Sequence, residues 1–313
     1  MVAGVTGDGR TARPEPTDRA VTAKPGPGAD IAMRIASCAL RAALTSLRQE
    51  GFAWLDANRI RRLIERSGAS AMTWAAFVAS YDSLEPDTHM GDGGRYRLRR
   101  YAAFAMSPGD GAPVRLPHRP HRQSLTHNAL NGGIDRWFAP IEDAIAAGPV
   151  LRGLLELSCR FAVSLQPAGA DPVWDVEVHQ FRIVGLPDSP GLPTPEGMHR
   201  DGVDFVFIMM VGRRNTFGGI SVIQDPHGGR LAELFLNEPG DTLVIEQPHG
   251  GGAVRIRLLG IDAPELAQTC RRDGAEWRCG AAARGRLGED LAALTGVEVI
   301  FSQQPKVNST HHF

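Results

Sequence analysis

The chain has 313 residues, 42% of them apolar and 22% charged, enough to bury the core of one large domain or two smaller ones. A net charge of −1 gives no electrostatic footprint for a polyanion, and no apolar run approaches the ~20 residues of a membrane helix, so neither nucleic acid nor membrane is an expected partner. Four cysteines are too few for a disulfide scaffold, and the N-terminus lacks a charged-then-apolar signal layout, which makes a cytoplasmic location the expectation.

Residues 1–30, rich in Gly, Pro, Thr and Asp, read as a disordered leader. From 31 to 47, Ile31, Ile35, Leu40, Ala43 and Leu47 recur at helical spacing and predict an amphipathic helix. Two further helices are expected over 56–64 and 74–81. The stretch 95–104 alternates basic and aromatic residues as a strand does. Arg95, Arg97, Arg99 and Arg100 there read as a solvated basic edge, with substrate-carboxylate binding as the alternative. Residues 140–165 form a helical region interrupted at Gly148-Pro149.

After Pro167 the texture becomes β. Residues 174–184 alternate as a half-buried strand, in which His179 reads as a packed, hydrogen-bonded residue and not a ligand. Short strands follow at 205–211, 220–223, 231–236 and 241–245, separated by Gly, Pro and Asp-rich turns. That rhythm predicts a barrel or jelly roll, not a parallel α/β sheet.

The segment 195–207 carries the chemistry. His199 and Asp201 stand two residues apart ahead of an apolar run, and on a strand such residues share a face. An imidazole and a carboxylate, joined by one distant histidine, make a facial triad that holds Fe(II) and leaves three positions open.

The runs "EVHQFRI", "PEGMHRDGVDFVFIMMVGRRNTFGGISVI" and "EPGDTLVIE", with "GRYRLRRYAAF" upstream, resemble the bacterial 2-oxoglutarate/Fe(II) dioxygenases that hydroxylate free amino acids, the isoleucine 4-hydroxylases among them. The resemblance covers about residues 35–245. It implies an α+β, mainly β fold, a double-stranded β-helix with N-terminal helices, and turnover of a small amino acid with O₂ and 2-oxoglutarate to succinate and CO₂. It also implies His199 and Asp201 as iron ligands and catalytic centre. His249 is placed either as third ligand or as an exposed turn residue. Arg255 and Arg257 are candidates for the far carboxylate of 2-oxoglutarate. Gln180 and Arg182 are read either as cosubstrate contacts or as a solvated strand face.

A second resemblance covers 240–301, where "RLLGIDAPE" is similar to the first half of a thermonuclease (staphylococcal-nuclease-like) domain, an OB-like barrel. It implies Asp241 and Asp262 as Ca²⁺ ligands, Arg257 on phosphate and Glu265 activating water, an alternative nuclease site. The chain ends before the later elements of such a barrel, so an inactive fusion is a third reading. The expected organisation is therefore a leader (1–30), a jelly-roll dioxygenase-like domain (31–250) and a partial thermonuclease-like segment (251–313). The closing strands of the jelly roll would be filled by 253–261 or 297–301, because alternating β sequence is partly interchangeable.

Overall fold

A computed structural model describes residues 27–107, 112–167, 172–185 and 190–247, with strand segments at 255–258, 261–262, 270–273, 276–279 and 292–302. Most of the expected leader therefore lies outside the described residues. The helices are α1 (Pro27–Glu50), α2 (Ala57–Ile64), α3 (Ala71–Ala79), α4 (Asp143–Ala146) and α5 (Pro149–Ser164).

Their boundaries follow local chemistry. The Asp56 side chain accepts from Arg59 N at the start of α2. Ser70 and Thr73 form a reciprocal capping box on α3. The expected interruption at Gly148-Pro149 is the gap between α4 and α5, with proline in the first turn of α5, where its missing N–H leaves nothing unpaired. Leu151, Leu154, Leu155, Phe161 and Ala162 bury the inner face of α5. Phe161 packs 5.7 Å from Phe207 of the sheet beneath.

The longer strands are β1 (Phe52–Leu55), β2 (Arg97–Met106), β3 (Trp174–Gly185), β4 (Phe205–Arg214), β5 (Ile220–Gln224), β6 (Arg230–Phe235), β7 (Thr242–Glu246), β8 (Arg255–Leu258) and β9 (Ala292–Ser302). One sheet runs β1-β7-β4-β9-β3-β2, ending on the short strand Glu85–Pro86, and a second runs β6-β5-β8. The large sheet has two buried faces. Val176, Val178, Phe205, Phe207, Met209 and Val244 meet the helices. Phe181, Ile183, Val206, Ile208, Met210, Leu243 and Ile245 face inward with Ile223 of the second sheet. Two antiparallel sheets closing on a common core, with helices outside, make the expected jelly roll.

Two of the C-terminal strands join these sheets, while Cys270–Asp273 and Glu276–Cys279 pair with each other. β8 pairs with β5, Arg255 opposite Gln224. β9 lies between β3 and β4, pairing Glu298 with His179 on one side and Ile208 on the other. Both proposed fillers, near 253–261 and 297–301, are thus strands of the jelly roll. Without β9, β3 and β4 would each expose a long unpaired edge, so any alternating segment within reach gains hydrogen bonds by entering. Gly296 is required where β9 crosses Phe181, because a Cβ there would stand 2.6 Å from the ring.

Candidate active site

His199 and Asp201 sit on the loop between β3 and β4, not within a strand, and converge nonetheless. His199 Nε2 lies 3.2 Å from Asp201 Oδ1. His199 Nδ1 lies 2.9 Å from Gly197 O, so Nδ1–H donates to that carbonyl, and the protonated ring donates Nε2–H to the Asp201 carboxylate. Both side chains are largely buried. Burial alone would lower the His199 pKa, but the hydrogen bond and charge of Asp201 outweigh it and raise it to about 10. For Asp201, burial raises the carboxyl and His199 overcomes this, leaving it below the usual range.

The pair is held from several directions. Gln123 Nε2 donates to Asp201 Oδ1 at 3.3 Å, and the Gln247 side chain accepts from Asp201 N at 3.0 Å. Gln247 N in turn donates to Asp204 O, which ties the end of β7 to this loop. Arg136 Nη2 donates to Gln123 Oε1 at 2.7 Å, extending the chain of contacts inward. Gly202, at φ +71°, makes the turn after Asp201 in a region that side chains avoid.

Strand parity decides the other expectations. On β3 the residues 175, 177, 179 and 181 face the interior, while Gln180 and Arg182 face the helices. Gln180 Nε2 donates to Ser80 Oγ, and Arg182 pairs with Asp82 at 3.5 Å. The expected contact of these two with cosubstrate is corrected accordingly, since a one-residue change of parity moves a side chain to the opposite face. His249 and Glu265 lie outside the described residues. Arg255 and Arg257 fall on β8 and Asp262 on a two-residue strand, Ile261–Asp262. Asp241 is buried and accepts from Ala57 N (2.9 Å), Asn237 N (3.0 Å) and Glu238 N (3.0 Å). Its carboxylate ties α2 to the turn before β7, which corrects its expected role as a Ca²⁺ ligand.

Several interior residues were missed or misjudged from sequence. Arg97 and Arg99 are not a solvated edge: they turn inward, with side chains 3% and 11% exposed. His121, Glu177 and His179 bring two imidazoles and a carboxylate within 4.8 Å of one another. Glu177 takes hydrogen bonds from Tyr101 and has His121 Nδ1 at 2.9 Å, with Arg119 at 3.7 Å. His179 is packed, as expected, but neither ring nitrogen has a hydrogen-bond partner among the described residues. The "HQ" alternation carried the parity needed to find it; nothing local marks Gln123 or Arg136, which arrive from a loop.

The donor set fits a divalent iron. An imidazole nitrogen, whose proton a metal ion would displace, and a carboxylate oxygen converge, each fixed by an outer hydrogen bond, as metal ligands are. The His121–Glu177–His179 group has the same composition, but its carboxylate already serves Tyr101, His121 and Arg119.

Residues 78–249 match the 2OG-Fe dioxygenase family. The chain is 23% identical over 213 residues to the L-isoleucine-4-hydroxylase of Bacillus thuringiensis, covering 68% of this chain and 85% of that protein. It is 26% identical over 126 residues to the 3(1)-hydroxy-L-isoleucine 4-dioxygenase of Pantoea ananatis, covering 40% of this chain and 51% of that one. Among solved structures, a bsmA homolog from Methylobium petroleophilum superposes with a TM-score of 0.67 at 28% identity, over 84% of this chain and 93% of that one. IDO from Bacillus thuringiensis gives a TM-score of 0.62 at 17% identity, over 85% and 100%. The family match spans more than half of the sequence and encloses His199, Asp201 and the two strands that flank their loop, and the chain belongs to the 2OG-Fe dioxygenases, using Fe(II) and 2-oxoglutarate.

Proposed function

We propose that this dioxygenase hydroxylates a free amino acid or a closely related metabolite, with iron held by His199, Asp201 and His249. The observation that carries the assignment is the His199–Asp201 pair, 3.2 Å apart with the outer nitrogen of His199 committed to Gly197. His249 is supported by Gln247. That side chain grips Asp201 N, and His249 follows two residues later in sequence. Arg255 and Arg257, on β8, are the proposed anchors for the far carboxylate of 2-oxoglutarate.

Bound iron and 2-oxoglutarate supply the oxidation, in which O₂ is consumed, the oxoacid becomes succinate and CO₂, and one oxygen enters a C–H bond of the substrate. The chain's own contribution is positional. Gln123 and Gln247 fix Asp201, Gly197 fixes the tautomer of His199, and Phe181, Ile208 and Ile245 exclude water behind them. An amino acid as substrate rests on what the two curated relatives are named for. Reduced iron and a central metabolite as cosubstrate suit a cytoplasmic setting. We further read β8 and β9 as strands of the dioxygenase body. No helix among the described residues is long and apolar enough to cross a membrane.

The test is an anaerobic Fe(II) titration with 2-oxoglutarate, followed through the visible band of the chelate. The wild type should form it, His199→Ala and Asp201→Ala should abolish it, and His249→Ala should weaken it. A band untouched by all three would overturn the ligand assignment.

A further inference from the structure

The interior holds a second group of metal-binding character, made of residues other than His199 and Asp201. Glu177 and His179 stand two residues apart on β3 and so share its inward face. His121 reaches them from the loop after β2, where it is fixed by a reciprocal backbone pair with Arg136 at 2.9 Å and 3.0 Å. One ligand atom from each of the three lies within 4.8 Å of the other two. His121, Glu177 and His179 are 3%, 2% and 0% exposed.

The spacing suits an ion. His121 Nδ1 and Glu177 Oε2 are 2.9 Å apart, close to the roughly 3 to 3.4 Å between two ligand atoms that each stand about 2.1 Å from one metal. The imidazoles of His121 and His179 meet edge to face, with ring centres 4.6 Å apart. Neither nitrogen of His179 has a hydrogen-bond partner among the described residues, although native interiors rarely leave a buried polar atom unmet. Burial, with His121 beside it, holds the His179 pKa well below its ordinary 6.5, so the ring keeps a lone pair. Glu177 divides its oxygens. Oε1 accepts from Tyr101 at 2.9 Å and has Arg119 at 3.7 Å, while Oε2 faces His121. Outer partners on one oxygen orient the other, as they do around carboxylates that bind metals.

Two imidazoles and one carboxylate are too rich in nitrogen for calcium or magnesium, which take oxygen ligands. They suit zinc, which such sites bind more tightly than Fe(II). We propose that His121, Glu177 and His179 form a second metal site, which takes a divalent ion of the zinc class and clamps the loop after β2 onto β3. The same loop carries Gln123, whose Nε2 donates to Asp201 at 3.3 Å, so the clamp steadies one side of the iron pair. Glu298, opposite His179 across the β3–β9 pairing, has Asp201 and His199 among its electrostatic neighbours, which places the two sites side by side. Their ligands are different residues, so the second site stands or falls without the first.

The experiment strips the full chain of metal with a chelator and titrates it with Zn²⁺, and with Co²⁺ as a coloured stand-in. Wild type should take up two ions and Asp201→Ala one. In the Asp201→Ala background, Glu177→Gln and His179→Gln should each weaken the remaining site about 100-fold or more, since losing even an outer partner costs about 10- to 100-fold. Tyr101→Phe removes only such a partner and should cost about 10-fold. His121→Ala changes a loop residue and leaves the strands intact, so it decides the matter if a strand variant misfolds. Zn²⁺ should raise the melting temperature of Asp201→Ala and leave that of Asp201→Ala/His121→Ala unmoved. The proposal is overturned if Asp201→Ala takes up no Zn²⁺, or if the ion binds as tightly after His121 and Glu177 are both replaced. A wild type that binds a single ion, kept in Asp201→Ala and lost in His121→Ala, would uphold this site and count against the iron reading.

Discussion

Asp201 is held by parts of the chain far apart in sequence: Gln123 from the loop after β2, His199 beside it and Gln247 from the end of β7. Gly202 lets the backbone turn away from this knot, and a Cβ there would stand 2.4 Å from His127 Nδ1 in a left-handed conformation. Gly202→Ala is therefore expected to displace Asp201 and weaken Fe(II) binding about 10- to 100-fold, measured by metal titration. Asp87 is a second point of tension. Burial pushes its carboxyl up, but Arg99 and Arg97 overcome this and hold it below its ordinary value of 3.8. A depressed folded pKa means this contribution to stability is complete above the unfolded value and lost as pH falls through the folded one. Asp87→Asn should cost about 3–5 kcal/mol at pH 7 by leaving buried arginines unpaired, and should flatten the loss of stability below pH 4. Urea melts from pH 7 to pH 3 on both proteins measure this.

Among the elements, β9 decides whether the large sheet is continuous. It joins β3 along eleven residues and β4 along most of its length. A chain ending at residue 291 should lose cooperative unfolding and aggregate through the two freed edges, seen by circular dichroism and light scattering. Gly296→Ala is the milder probe: crowding Phe181 should cost about 1–3 kcal/mol while the strand stays in place. The helical layer tests the opposite face. Phe161→Ala opens a cavity against Phe207 and should cost about 3–5 kcal/mol, with metal binding retained.

For the whole molecule, iron and 2-oxoglutarate bind the folded state, so they must stabilise it. At free ligand concentrations near 100 times Kd the gain is about 2.7 kcal/mol, and thermal scans should show a melting point higher by several degrees in wild type and unmoved in Asp201→Ala. The molecule's architecture explains which of its features local pattern revealed. Helices α2 and α3 carry their own caps, α5 a proline at its start, and all three an apolar face, while β3, β4 and β7 carry their own alternation, so these elements and the jelly-roll class were legible. The His199–Asp201 pair was legible as well, since both members lie in one short run. The tertiary structure alone decided which face of β3 looks inward, sending Gln180 and Arg182 to the helices and His179 to the interior, because alternation is symmetric between faces until a sheet is packed. It alone brought Gln123, Arg136 and Glu298 to the site, since their proximity depends on a loop fold and a strand register that no local spacing encodes. It also drew β8 and β9 into the jelly roll, because an open sheet edge accepts alternating sequence whatever family that sequence resembles.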